Sequence, residues 1–180
     1  MRNYFLETGR IAFSRWTQDD YDLALLLWGD ESVTKHISET GKFTEQEIKD
    51  RLLLEIENQK ISHVQYWPIF EKATEEFIGC CGLRPYNLEE RIYGIGFHLR
   101  STHWGKGFAS EAARAIIQYS LDHFNASSLI VGHIPKNTVA QKILKKLGFE
   151  YLGDMLNEPT GLYYSSYKYS FHKQALFNIS

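Results

Sequence analysis

The junction between a predicted strand and a predicted helix, "HWGKGFASEA" from His103 to Ala112, most constrains how this chain can fold. An alternating strand, residues 92–99, precedes the junction, and a helix with an apolar stripe is predicted from about Gly107. Glycine costs helix stability, so the two glycines around Lys106 indicate a backbone requirement. This order directs unpaired backbone N–H groups and the positive end of a helix dipole at one small volume.

A phosphate group fits such a junction, because Gly105 and Gly107 have no Cβ and Lys106 adds a cation. A flexible turn in which the glycines only relieve strain explains the pattern G-x-G equally well. No G-x-x-x-x-G-K-[ST] occurs, and Ser110 stands where the third glycine of G-x-G-x-x-G would fall. The sequence therefore argues against a mononucleotide P-loop and a Rossmann site.

The remaining chain alternates strands and helices without a linker or repeat, which indicates one α/β domain over residues 1–180. Capping boxes at Thr17 and Thr44 predict two early helices, the second reaching about Gln59. A further helix is predicted from Thr138 to Leu147, with Gly148 as its C-cap. The predicted strands are residues 11–16, 64–72, 76–84, 91–100, 128–134, 151–155 and 163–171, and the second, third and fourth of these suit an antiparallel meander.

Composition excludes several classes of protein. The formal net charge is only -2 and no aromatic stacking motif with basic residues occurs, so direct nucleic-acid binding is not expected. The longest apolar run, Leu23 to Trp28, is too short to cross a bilayer, and the start lacks a secretory pattern, so we expect a cytoplasmic protein without membrane association. Adjacent Cys80 and Cys81 are expected to be reduced strand residues.

The stretch "GIGFHLRSTHWGKGFASEAARAII" resembles the core motif of the GNAT acyl-CoA N-acyltransferases. In that family the loop reads roughly Gln/Arg-x-x-Gly-x-Gly/Ala, and Trp104, Gly107 and Ala109 take its three defined positions. Tryptophan departs from the commonest first residue but is usual in the branch of ribosomal-protein N-terminal-alanine acetyltransferases. The segments "LETGRIAFSRWTQDDYDLALLLW" and "NTVAQKILKKLGFEYLG" are also similar to that branch, so the resemblance spans most of the chain.

The resemblance implies a central, mixed and mostly antiparallel sheet of about six to seven strands flanked by helices, with acetyl-CoA as cosubstrate. It also implies that the backbone of residues 97–99 holds the pantetheine arm and the acyl carbonyl. The pyrophosphate would lie on the loop, and Asn137 would contact the pantetheine, although asparagine before "TVAQKIL" is also an ordinary N-cap. The implied coenzyme residues are Phe97, His98, Leu99, Trp104, Gly105, Lys106, Gly107, Phe108, Ala109, Ser110 and Asn137.

Acetyl transfer requires a neutral amine, so a base or a water chain must take its proton. Relatives often carry a glutamate base early on this strand, where the chain has Gly94. His98 is the polar side chain on its strand face and has an ordinary pKa near neutrality, so it is the first candidate. A hydrogen-bonded sheet histidine without chemical duty is the competing interpretation, and Glu158 in "NEPTG" is the rival base.

The acid that protonates the departing thiolate is harder to place. The family often offers a serine or tyrosine on the helix after the asparagine, where this chain has Ala140 and Leu144. Tyr164, with its neighbours Tyr163 and Tyr167, is the candidate donor, although tyrosine-rich strands are also ordinary β packing. The thiolate can also leave unprotonated or take its proton from water.

The leading hypothesis is therefore an acetyl-CoA-dependent N-acetyltransferase that acts on a primary amine without a covalent enzyme intermediate. The acceptor stays open among a protein N-terminus, a polyamine, an aminoglycoside and another small amine. A non-catalytic acyl-CoA sensor or interaction module is the alternative, because the positions where the family usually has a base and an acid hold residues that cannot transfer a proton. No metal is expected, since no H-E-x-x-H or C-x-x-C pattern occurs, and a homodimer stays open.

Overall fold

Strands form where β-branched and aromatic residues alternate, and two helices begin directly after the predicted capping residues Thr44 and Asn137. The computed structural model describes residues 2–38, 40–157 and 162–171. Its strands are β1 (Leu6–Glu7), β2 (Ile11–Phe13), β3 (Tyr66–Glu71), β4 (Phe77–Asn87), β5 (Ile92–Leu99), β6 (Ser128–His133), β7 (Glu150–Asn157) and β8 (Leu162–Ser170). Its helices are α1 (Tyr21–Trp28), α2 (Glu31–Thr34), α3 (Glu45–Ser62), α4 (Phe108–Phe124) and α5 (Thr138–Leu147).

The strands form one sheet in the order β1-β2-β3-β4-β5-β6-β8-β7. All neighbouring strands run antiparallel except β5 and β6, which are parallel and joined by α4. The predicted mixed, mostly antiparallel sheet is confirmed, with eight strands instead of six to seven. The additional strand is β1, whose two residues are too few to show a period in the sequence.

Two apolar clusters cover the two faces of the sheet. On one face, α4 and α5 pack Phe108, Ile116 and Leu144 against β5. On the other face, α1 and α3 pack Trp28 and Leu52 against β3 and β4. The sheet therefore separates the α4–α5 side of the molecule from the α1–α3 side.

Several local predictions are confirmed. Thr44 and Glu47 form both hydrogen bonds of a capping box at the start of α3, and α5 has the predicted bounds. Gly148 ends α5 with φ 91°, a left-handed conformation that favours glycine. Cys80 and Cys81 are both free and buried, one in each apolar cluster.

Other predictions need correction. The first long strand ends at Phe13 and not at residue 16, because Trp16 turns away to pack against Trp28 and Phe77. The aromatic segment 64–70 would need exposed rings to join two copies of the chain, but it is core, with Trp67 only 1% exposed. Within the described ranges, no helix combines the length and the apolar character needed to cross a bilayer.

Candidate active site

A cleft opens where the two parallel strands separate. β5 and β6 pair only through Ile92–Gly94 and Ser128–Ile130, in register. Beyond these pairs, residues 94–98 and 130–133 line a cavity of about 630 Å³. Backbone N–H and C=O groups need hydrogen-bonding partners when they are buried. The separated strands therefore offer a built-in site for an extended polar chain such as pantetheine.

The glycine loop lies between the end of β5 and the start of α4. Gly105 and Gly107 have φ values of 74° and 81°, so both occupy the left-handed region that favours glycine. The hydrogen bond from Glu111 N to the Gly107 carbonyl, 3.1 Å long, is the first of α4. The N–H groups that precede it have no intrahelical partner and, with the helix dipole, favour an anion.

The loop is braced by the β1–β2 hairpin, which sequence reasoning missed. Arg10 donates from Nε to Glu111 Oε2 at 2.7 Å and from Nη1 to the Lys106 carbonyl at 3.0 Å. Its guanidinium also lies 4.6 Å from the centre of the Phe108 ring. Burial acts to raise the pKa of Glu111, but hydrogen bonds from Thr8 and Arg10 outweigh it and hold this pKa below its ordinary value. The residues lie about a hundred positions apart, so no sequence pattern connects them.

The residues predicted to hold the coenzyme surround the cleft and the loop. Trp104 is 43% exposed, and its indole N–H donates to the Leu99 carbonyl at 2.8 Å, so it fastens the loop to the end of β5. Phe97 and Leu99 pack toward the α4 face, and Ala109 and Ser110 lie in the first turn of α4.

Asn137 is the N-cap of α5 and also borders the cleft, and its contact with the pantetheine stays a prediction. Its Oδ1 accepts from the Ala140 N–H at 3.1 Å as the N-cap of α5, and the residue also lines the cleft. The cap uses only Oδ1, so the amide nitrogen of the side chain keeps its donors.

His98 lies on the α1–α3 side of β5 and lines the cleft. Its Nδ1 accepts the Trp28 indole N–H at 3.3 Å and lies 3.9 Å from Cys80 Sγ. An imidazole that accepts at Nδ1 carries its proton on Nε2 when neutral. Burial, and then the charges of Arg51 and Arg84, hold the pKa of His98 well below its ordinary value. The ring therefore presents a hydrogen-bond donor at neutral pH.

Of the other catalytic candidates that the structure describes, only Tyr164 lines the cleft. Tyr164 lines the cleft beside Gly132, where a Cβ would come within 3.6 Å of the tyrosine Cβ. Tyr163 is exposed, and Tyr167 is fully buried in the core. Glu158 lies outside the described residues, so its role stays a prediction.

Tyr66 is a cleft residue that the sequence did not single out. Its phenol ring lies across Gly96, where an added Cβ would stand 2.5 Å from Tyr66 Cζ. Burial outweighs the neighbouring cations Arg84 and Arg51 and raises the pKa of Tyr66, so the phenol is neutral. Gly96 therefore makes room for an aromatic side chain from β3 at the floor of the cleft.

One group of potential metal ligands occurs among the described residues. Glu71, Glu76 and His103 each place one ligand atom within 4.8 Å of the others. His103 Nε2 lies 3.5 Å from a Glu76 oxygen. Exposed carboxylates often meet a histidine in this way without a metal, so the prediction that no metal takes part stays a prediction.

Comparison with known proteins agrees with this geometry. The sequence model of the acetyltransferase (GNAT) domain matches residues 10–150. The uncharacterized N-acetyltransferase p20 of Bacillus licheniformis is 30% identical over 145 residues, 81% of this chain and 82% of that protein.

Two solved structures share the fold. A GNAT-family acetyltransferase from Bacillus anthracis superposes with a TM-score of 0.76 at 22% identity, covering 93% of this chain and 97% of that chain. RimL, a ribosomal α-N-protein acetyltransferase in complex with coenzyme A, superposes with a TM-score of 0.78 at 11% identity, covering 93% and 98%.

Proposed function

Because the chain belongs to the GNAT acetyltransferase family, we propose that it transfers the acetyl group of acetyl-CoA directly to a primary amine, without a covalent enzyme intermediate. The observation that carries this proposal is the separation of β5 from β6 next to the N-terminus of α4. Together, the open strand edge and the helix N-terminus would supply backbone donors along a thioester arm that ends in a pyrophosphate.

The coenzyme assignments follow that path. The backbone of Phe97, His98 and Leu99 would bond the pantetheine arm, and a strand N–H would stabilise the oxyanion. The N–H groups from Gly105 to Ser110 would hold the pyrophosphate, with Lys106 adding charge. Asn137 would donate its amide N–H to the arm while it caps α5.

In the proposed step, the amine nitrogen attacks the thioester carbonyl carbon. A C–N bond forms and the C–S bond breaks, the amine loses a proton, and the thiolate gains one. His98 is a poor proton acceptor, because its pKa is low and its Nδ1 already accepts a hydrogen bond from Trp28. We therefore assign the removal of the proton to water in the cleft. His98 is assigned a positioning role. Loss of a general base costs about 10²–10⁴ in rate. We therefore expect His98→Gln to lower kcat by less than about tenfold, and a loss of about a hundredfold or more would restore His98 as the base.

Tyr164 is the proposed donor to the departing thiolate, because it lines the cleft from β8. Tyr164→Phe should lower kcat and shift the alkaline limb of its pH profile. The matched control is Tyr163→Phe, because Tyr163 is 60% exposed one residue away. Equal behaviour of the two variants would remove Tyr164 from the mechanism.

The acceptor is a primary amine, either a protein N-terminus, as for the ribosomal neighbour RimL, or a small molecule. Calorimetric titration with acetyl-CoA, followed by thiol release with alanine-starting peptides and small amines, tests the activity. Binding with thiol release is the expected result. Binding without release from any amine would support the non-catalytic alternative, and absence of binding would overturn the coenzyme path.

A further inference from the structure

A buried carboxylate organises two arginines beside the cleft. Glu55 on α3 is fully buried, and its Oε1 accepts from Arg51 Nε at 3.0 Å and from Arg84 Nη2 at 2.6 Å. Its Oε2 accepts the Tyr66 backbone N–H at 2.8 Å. Both oxygens are thus occupied, and one carboxylate faces two guanidinium groups. The cluster therefore carries a formal charge of about +1.

The neighbouring groups do not cancel this charge. His98 and Tyr66 are neutral for the reasons given above, and burial raises the pKa of Cys80 to about 12. These are the titratable groups that pack on the pair from β3, β4 and β5. At neutral pH, the α1–α3 side of the cleft therefore holds an excess positive charge in a poorly solvated position.

The two arginines lie at the wall of the cleft. Both line it, with side chains 17% and 28% exposed for Arg51 and Arg84. Arg84 Nε is buried and has no hydrogen-bond partner among the described residues. The bonds to Glu55 use one donor nitrogen of each guanidinium, so the partly exposed side chains keep further N–H groups for an anionic oxygen in the cleft.

The distance from this charge to the reaction centre is short. The Arg84 guanidinium lies 4.5 Å from the centre of the Tyr66 ring, and the hydroxyl end of that ring covers Gly96. Gly96 immediately precedes Phe97, where the acyl carbonyl is proposed to bind. An anion at Arg84 would therefore lie beside the strand segment proposed to hold the acyl group.

We propose that the acceptor is a small amine that also carries a carboxylate or phosphate group, and that Arg51 and Arg84 bind this anionic group. This proposal rests on the acetyltransferase function proposed above. It disfavours polyamines and aminoglycosides, whose positive charges the pair would repel. It also disfavours a protein N-terminus, because the carboxyl group next to that amine is consumed in a peptide bond.

The first test uses the unaltered protein and matched pairs of acceptors in the thiol-release assay. Each amino acid is compared with its amide, and each aminoalkyl phosphate with its amino alcohol, beside spermidine and alanine-starting peptides. The anionic member should have a kcat/KM higher by about tenfold or more, and the two series distinguish carboxylate from phosphate. Equal rates within pairs, or a preference for spermidine or peptides, would overturn the proposal.

The second test removes the charge. Arg84→Gln and Arg51→Gln should lower kcat/KM for the anionic member by about tenfold while the neutral partner changes little. Arg84→Lys keeps a charge and should retain part of the preference. Arg114→Gln, on the exposed face of α4, is the control. If the folded variants keep the same preference for anionic over neutral acceptors, the assignment is refuted. If the unaltered protein does not bind acetyl-CoA at all, the acetyltransferase proposal is refuted instead.

Discussion

Gly96→Ala tests whether the floor of the cleft is built by Tyr66. A Cβ at position 96 would stand 2.5 Å from Tyr66 Cζ and 2.7 Å from Cε2, closer than nonbonded carbon atoms approach. The ring cannot easily move, because the Arg84 guanidinium and the His98 ring lie 4.5 and 5.6 Å from its centre. Overpacking of this kind costs about 1–3 kcal/mol. In a chain of this size, that lowers Tm by about 2–12 °C.

Gly94→Ala is the matched control on the same strand. Its Cβ would lie 3.8 Å from the nearest atoms of Arg84, which is an ordinary van der Waals contact. The free energy of unfolding should therefore change by less than about 1 kcal/mol. In a Tyr66→Ala background, the additional cost of Gly96→Ala should disappear, which a double-mutant cycle measures by urea denaturation. Equal Tm values for the two glycine variants, or an unchanged cost without the tyrosine ring, would refute the reasoning.

Three further predictions concern the loop, a titrating group and the buried carboxylate. Gly107→Val places a side chain at φ 81° among the open N–H groups and should weaken coenzyme A binding in calorimetry, whereas Gly41→Val, at φ 78° outside that loop, should carry similar backbone strain and leave the affinity unchanged. The pKa of His98 is lower in the folded state than in the unfolded chain, so the unfolded chain binds a proton first as the pH falls below about 6.5, and the free energy of unfolding falls by up to about 1.4 kcal/mol per pH unit. His98→Gln should therefore make Tm depend less on pH in this range. The same slope of Tm against pH in both proteins would contradict this. Glu55→Leu leaves two guanidinium groups uncompensated and should cost about 3–5 kcal/mol in urea denaturation, while Glu57→Leu, 57% exposed on the same helix, should cost far less.

The sequence by itself determined the frame of the proposed coenzyme site. The alternation over β5, the glycines around Lys106 and the apolar stripe of α4 are all local patterns, and each element forms through local geometry and periodicity. The positive φ values of Gly105 and Gly107 explain why those residues stand there. The same locality explains the capping box at Thr44 and the bounds of α5.

Only the tertiary structure decided the side of the cleft where we propose that the acceptor binds. Arg51, Tyr66 and Arg84 come from α3, β3 and β4, and none belongs to a motif, because their convergence depends on sheet register and on how α3 packs. The tautomer of His98 likewise depends on Trp28, seventy positions earlier. Hydrogen bonds and charges act through space, so a sequence reveals them only where the groups are spaced by a local structural period. The proposed coenzyme loop is recognised from such local spacing. The groups proposed to bind the acceptor are far apart in the sequence and are not.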